Sequence, residues 1–273
     1  MKKLSRTVKV TTLAAVLSLS FTAISYADQW EQDAHGYRCK VYGDYVRGGD
    51  YWIDGNEDGI AECYYFDENG YMLSNTTAPN GKKLNENGAW VLNGVVQTQS
   101  PEERALYDEA KEAYRDYIGG LDESEEVKYN LVYLNDDAIP ELVYATGDYH
   151  AAGVYICTYR DGRVYPLSSH AYGGYGSMTY LPKKGLVWTA DMHMGYETGV
   201  IYRMQGLELQ ELCFASYNVD TENEAASAYD EFRLNGRAST KAEVLNYQKQ
   251  LTDGLDQAEF SYDLGFEYHG EWM

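Results

Sequence analysis

Beyond its first 27 residues this sequence holds no apolar run long enough to cross a membrane, and it is short of positive charge. A spanning helix needs about 20 consecutive apolar residues. The 273 residues carry 22 Lys+Arg against 43 Asp+Glu, a balance that repels nucleic acid and anionic lipid and so excludes them as partners. Also missing are a Gly-x-Ser-x-Gly nucleophile elbow and any recognised metal-ligand motif, so no cofactor or metal is expected. No Cys stands at position 28 to take a lipid, and Gly270-Glu271-Trp272-Met273 carries no sorting signal.

The first 27 residues have the three parts of a secretory signal peptide. Lys2, Lys3, Arg6 and Lys9 form a basic start, Leu13 to Ile24 an apolar stretch, and Ser25-Tyr26-Ala27 a small-x-small cleavage site. The alternative, a retained anchor, is opposed by the shortness of the apolar stretch. Cleavage after Ala27 leaves 18 Lys+Arg against 43 Asp+Glu, a formal charge of −25. The expected location is therefore outside the cell, with no membrane contact after cleavage. Tyrosine is abundant, 28 residues, and its apolar body and polar tip suit extracellular sheets and carbohydrate contact. Four Cys remain, Cys39, Cys63, Cys157 and Cys213. An even number in an exported chain permits two disulfides, most simply Cys39 with Cys63 and Cys157 with Cys213; free thiols packed as small hydrophobes are the alternative.

From Asp28 to Gln97 short aromatic runs alternate with turn dipeptides: Asn69-Gly70, Asn80-Gly81, Asn87-Gly88 and Asn93-Gly94. Asn-Gly is the strongest short-range hairpin signal. Strand alternation places Tyr64 and Phe66 on one face and Cys63 and Tyr65 on the other. Both faces are apolar, so hairpins are expected to stack on one another. The run Tyr51 to Leu73, its continuation Asn85 to Val96, and a degenerate opening from Trp30 to Tyr45 resemble the cell-wall-binding repeats of Gram-positive surface proteins, relatives of the choline-binding and glucan-binding repeats. The resemblance implies attachment to a cell-wall polymer or glycan. In choline-binding members, rings of successive hairpins cage a quaternary ammonium; the candidates by position are Trp52, Tyr64, Phe66 and Trp90. Lys82-Lys83 stands where such repeats often carry Gly-Tyr, so choline specificity is not carried over.

Ser100-Pro101-Glu102-Glu103 is a capping box that opens a helix ending at Gly119-Gly120. Strands are expected at Val127 to Leu134, Glu141 to Thr146, Gly153 to Arg160, Arg163 to Leu167, Gly176 to Leu181, Leu186 to Met192, Gly199 to Met204, Leu207 to Phe214 and Tyr229 to Leu234. A last helix runs from about Lys241 to Leu251, capped by Thr240 with Glu243. His150 to Ile156, Tyr172 to Ser177, Met194-Gly195-Tyr196 and the closing strand, turn and helix are similar to an uncharacterised domain of secreted proteins from Gram-positive anaerobes, which has no assigned activity. The expected fold is mainly β: a signal peptide (1–27), stacked hairpin repeats (28–98), and an α+β domain (99–273) whose antiparallel sheet is flanked by an N-terminal and a C-terminal helix.

Two groups of residues bear on chemistry. Asp54-Gly55-Asn56-Glu57-Asp58-Gly59 opens like a calcium loop, but Tyr65 stands where the bidentate Glu belongs, so it reads as a polar hairpin tip. Asn135-Asp136-Asp137-Ala138 lacks the loop glycine and reads as a turn between strands. Asp148 with His150 and Asp191 with His193, joined by His170, are spaced so that each carboxylate and imidazole share a strand face, as metal or acid–base sites require. No catalytic or metal assignment is made on spacing alone. The favoured expectation is a secreted, wall-associated, non-catalytic protein (Gram-positive) whose second domain binds an extracellular glycan, peptide or protein. The alternative is a wall-targeted hydrolase of peptidoglycan or polysaccharide.

Overall fold

The computed structural model describes residues 29–121, 127–167, 174–193, 195–219, 230–261 and 266–267. The first strands are short and antiparallel: β1 (Gln29–Gln32), β2 (Tyr37–Val41) and β3 (Asp44–Tyr45) form one small sheet. β4 (Gly49–Ile53) and β5 (Ala61–Phe66) form the next hairpin, and β6 (Thr76–Thr77), β7 (Lys83–Leu84), β8 (Trp90–Leu92) and β9 (Val95–Val96) a third sheet. β10 (Thr98–Gln99) then returns to pair with the free edge of β5. The alternation read from sequence holds across β5. Phe66, with Tyr64 half-buried beside it, packs toward the first sheet with Cys39, Val46 and Ile53, while Cys63 and Tyr65 pack toward the third with Leu84, Trp90 and Leu92. Rings supply much of both joints beside these smaller side chains, because sheets this small bury little apolar surface by themselves.

The turns repeat one geometry. At Asp67, Ala78 and Asn85 the backbone N–H donates to the carbonyl four residues on, and the Gly three residues on (Gly70, Gly81, Gly88) donates back. Each Gly has φ between +80° and +84°. This is a type I turn closed by a glycine bulge, so Asn precedes the bulge and does not occupy a two-residue turn. Of the four Asn-Gly pairs before Gln97, only Asn93-Gly94, with φ of 49° and 81°, has both residues left-handed as the two-residue turn requires. At the tip between β4 and β5 the carboxylates of Asp54 and Asp58 accept from the backbone N–H groups of Asp58, Gly59 and Ile60. Those oxygens brace the tip, in agreement with its reading as a hairpin end.

Helix α1 (Pro101–Gly119) begins with both capping-box bonds between Ser100 and Glu103 in place. After it come β11 (Lys128–Val132), β12 (Glu141–Ala145), β13 (Val154–Arg160), β14 (Arg163–Pro166), β15 (Ser177–Leu181), β16 (Leu186–His193), β17 (Tyr196–Gln205), β18 (Glu208–Asn218), β19 (Glu231–Leu234) and β20 (Arg237–Ala238). Helix α2 (Lys241–Thr252), capped by Thr240 and Glu243, precedes β21 (Ala258–Ser261) and β22 (Phe266–Glu267). The expected single sheet is in fact two: order β14-β13-β12-β11-β22, and order β20-β19-β18-β17-β16-β15-β21.

The two sheets face each other across a core of Val132, Val143, Val154 and Ile156 from one and Met178, Tyr180, Val187 and Phe260 from the other. Their outer faces are apolar as well. Tyr114 and Ile118 of α1 cover Leu142, Tyr144 and Cys157; Val244 of α2 covers Leu186, Ile201, Leu212 and Cys213. The result is a helix–sheet–sheet–helix sandwich, in which strands apolar on both faces are covered on both. A register shift between Ile201 and Tyr202 leaves Leu212 as the extra residue of a bulge in β18. The four cysteines are buried, one in each of four separate cores, and none is bonded to another, so the within-part disulfides are not formed: Cys39, Cys63, Cys157 and Cys213 serve as small packing groups.

Candidate binding surfaces

The four candidate cage residues separate into two clusters on opposite faces of the β4–β5 hairpin. Tyr64 meets Trp30 edge-on at 5.1 Å, and Phe66, fully buried, lies 5.9 Å from Trp30 and 5.8 Å from Tyr51. Burial pushes the Tyr64 phenol up to about 12. On the other face Trp52 approaches Trp90 and Tyr133, each at 6.3 Å, and Trp90 lies 5.5 Å from Tyr133. Tyr133 follows β11 and so belongs to the sandwich. Sequence reasoning missed it because its partners lie some 40 to 80 positions upstream, beyond any local pattern.

Cations at this second cluster come from the chain itself. Lys82 Nζ lies 5.0 Å from the Trp90 ring centre, and Lys183 Nζ lies 5.9 Å from Trp90 and 5.4 Å from Tyr133. Lys82 is ion-paired with Asp50, whose carboxylate also accepts from Asn80 at 2.8 Å. Burial works against the charged ammonium of Lys82, but Asp50 more than offsets it, and the group is held above its usual range. Lys183, chiefly through burial, is lowered. Beside these groups a cleft of about 40 Å³ lies between hairpin residues Lys82 and Leu92 and sandwich residues Tyr133, Tyr180 and Asp256. At roughly 10–15 Å³ per water-sized probe that is room for a few waters, not for a sugar ring. The electron-rich ring faces are thus already served by lysines, which argues against a quaternary ammonium guest here.

The outward face of the first sheet is different. Register sets Glu31 opposite Arg38 and Lys40 opposite Tyr45. These residues point away from the Trp30–Cys39–Val41 face that packs on the second sheet. Glu31 accepts from Lys40 at 2.7 Å and from the Tyr45 hydroxyl. Asp33 accepts from the Tyr71 hydroxyl at 2.9 Å and from the His35 N–H at 2.7 Å. The Lys40 bond holds the Glu31 carboxyl below the usual range, and the His35 N–H does the same for Asp33. The Arg38 guanidinium carbon lies 3.8 Å from the Tyr45 ring centre and 5.2 Å from that of Tyr71.

Of the polar residues singled out in the second domain, His150 and Asp191 are brought together, Nε2 to Oδ2 at 3.1 Å, with the Tyr175 ring edge-on to His150 at 5.5 Å. The second oxygen of Asp191 is buried with no hydrogen bond to any described residue, close to the backbone at Gly174. Asp148 is exposed and is not a partner in this contact. His170 and the side chain of His193 lie outside the described residues. No group of three or more metal-ligating side chains is assembled among the described residues. In comparison with known proteins, the chain matches no family model, no curated protein and no solved structure. What the fold defines is therefore an architecture, a ring-stacked hairpin column joined to a helix-covered double sheet.

Proposed function

We propose that this chain is a secreted, wall-associated surface protein of a Gram-positive bacterium: the hairpin column attaches to a wall polymer or glycan, and the acidic, Tyr-rich sandwich binds an extracellular glycan, peptide or protein. The observation that carries the reading is the column itself. Three small sheets are joined by rings at both interfaces, Trp30 with Tyr64 and Phe66, and Trp52 with Trp90, and their outer face presents Tyr45 and Tyr71 among charged hydrogen-bonding groups. Flat rings beside convergent polar groups are the chemistry of carbohydrate contact. A net charge of −25 in the mature chain keeps it off polyanions and soluble at the surface. The test is co-sedimentation of the full mature chain with purified Gram-positive walls stripped of protein; retention supports attachment, and a chain that stays in the supernatant ends it.

A second reading has one specific observation in its favour, the His150–Asp191 contact. An imidazole oriented by a carboxylate is the arrangement of a general base, and it would make the chain a wall-targeted hydrolase. Clearing of peptidoglycan or polysaccharide in a zymogram, abolished by His150→Ala with the melting temperature unchanged, would establish it. Clearing that survives the substitution would remove these residues from the reaction.

A further inference from the structure

Arg38 is the one guanidinium on the outward face of the first sheet, and it has no carboxylate of its own. Glu31 stands opposite it, Asp33 and Asp67 both bond the neighbouring Tyr71, and each of these acids is engaged elsewhere. Glu31 holds Lys40 and Tyr45, Asp33 holds Tyr71 and the His35 backbone, and Asp67 accepts from the backbone N–H groups of Asn69 and Tyr71. Arg38 forms no hydrogen bond or ion pair with any described residue, and its Nε is buried and unsatisfied. It is nonetheless held in place. Tyr45 and Tyr71 present their rings to it, and a side chain added at Gly70 (φ +80°) would come within 3.7 Å of its Nε and 3.6 Å of its Nη2. A ring-stacked, pre-oriented guanidinium fits an oxyanion in a way an ammonium does not.

We propose that Arg38 is the anchor of a binding site for a single oxyanion, carboxylate or phosphate, carried on an otherwise neutral saccharide. This rests on the wall-attachment reading and names the chemistry of its ligand. The charge pattern sets the limit on that ligand. The mature chain's −25 repels a densely charged polymer at long range, but beyond about 8 Å that field is screened at physiological salt, and one isolated anion meets Arg38 locally. Glu31 and Asp33, each already accepting a tyrosine hydroxyl, keep further lone pairs and so form a rim of acceptors for sugar hydroxyls next to the anion.

The experiment titrates the full mature chain with three probes, a glucuronate-terminated disaccharide, glucose 6-phosphate and glucose, following the Arg38 Nε–H resonance and the heat of binding. At least one charged probe is expected to shift that resonance and to bind at least about tenfold more tightly than glucose; which one does so separates a carboxylate source from a phosphate source. Arg38→Gln is expected to abolish the difference, and Arg38→Lys to retain only part of it because it keeps the charge and loses the fork. Thermal melts of both variants check the fold. The proposal is overturned if neither charged probe moves the Arg38 resonance, if glucose binds as well as both, or if Arg38→Gln binds like the parent. Walls that retain the parent and Arg38→Gln equally defeat this inference and leave attachment standing; charged probes that bind at Arg38 while walls do not defeat attachment and leave the site.

Discussion

Glu141 opens β12 with no exposed surface, lodged between the two sheets of the sandwich. Its carboxyl accepts from the Leu134 N–H at 3.0 Å and from Asn135 and Thr158, each at 3.2 Å. Burial nevertheless dominates and lifts it to about 8 from an ordinary value of 4.5. The folded chain keeps the proton through a pH range in which the unfolded chain has released it, so this group's stability is complete below about pH 4.5 and is lost as pH rises toward 8. Urea denaturation is expected to show stability falling between pH 5 and pH 8, by at most about 1.4 kcal/mol per pH unit from this group. Glu141→Gln should flatten the slope, and a parent profile that rises over that range would contradict the assignment. Nothing in the sequence marks this residue. Asn135 to Glu141 reads correctly as a turn entering a strand, but a buried acid becomes visible only once a second sheet covers the first.

Much of the element scale was legible, because it rests on local chemistry. Both helices start at the capping boxes of Ser100 and Thr240, and the nine expected strands of the second domain all form, with β20, β21 and β22 in addition. Those three are two to four residues long, too short for alternation to show. The Asn-Gly pairs located the turns but not their class, which depends on where the strand pairing resumes. Two of these glycines separate strain from crowding. Gly88 (φ +82°) and Gly94 (φ +81°) have the same backbone, but a methyl group at 88 would sit 2.5 Å from Met72 Sδ and 3.0 Å from the Leu73 carbonyl, whereas nothing lies within 4 Å at 94. Gly94→Ala should cost about 1 kcal/mol, the left-handed penalty alone. Gly88→Ala should cost at least about 1 kcal/mol more through overpacking. Chemical denaturation of the pair measures the difference; equal losses would mean that Met72 moves aside freely.

At the scale of the whole molecule, the helix start at Ser100 was readable and the contacts across it were not. The sequence suggests a column followed by a separate domain, but Tyr133 completes the Trp52–Trp90 cluster, its hydroxyl accepts from Gln99 at 3.1 Å, and Lys83 and the Asn93 N–H both bond Asp256. These contacts span up to 173 positions, and no periodicity reports them. Of the two kinds of contact, the ring cluster carries the joint. The Lys83–Asp256 pair has an exposed lysine and is worth about 0–1 kcal/mol, whereas removing a buried aromatic costs about 3–5 kcal/mol. Tyr133→Ala should therefore lower the stability of the column and the sandwich together, in one transition followed alike by tryptophan fluorescence and far-ultraviolet circular dichroism. Asp256→Ala should scarcely move it. If Tyr133→Ala splits the unfolding into two steps, each half is stable by itself; if the variant melts like the parent, the rings of Trp52 and Trp90 hold the column without help from the sandwich.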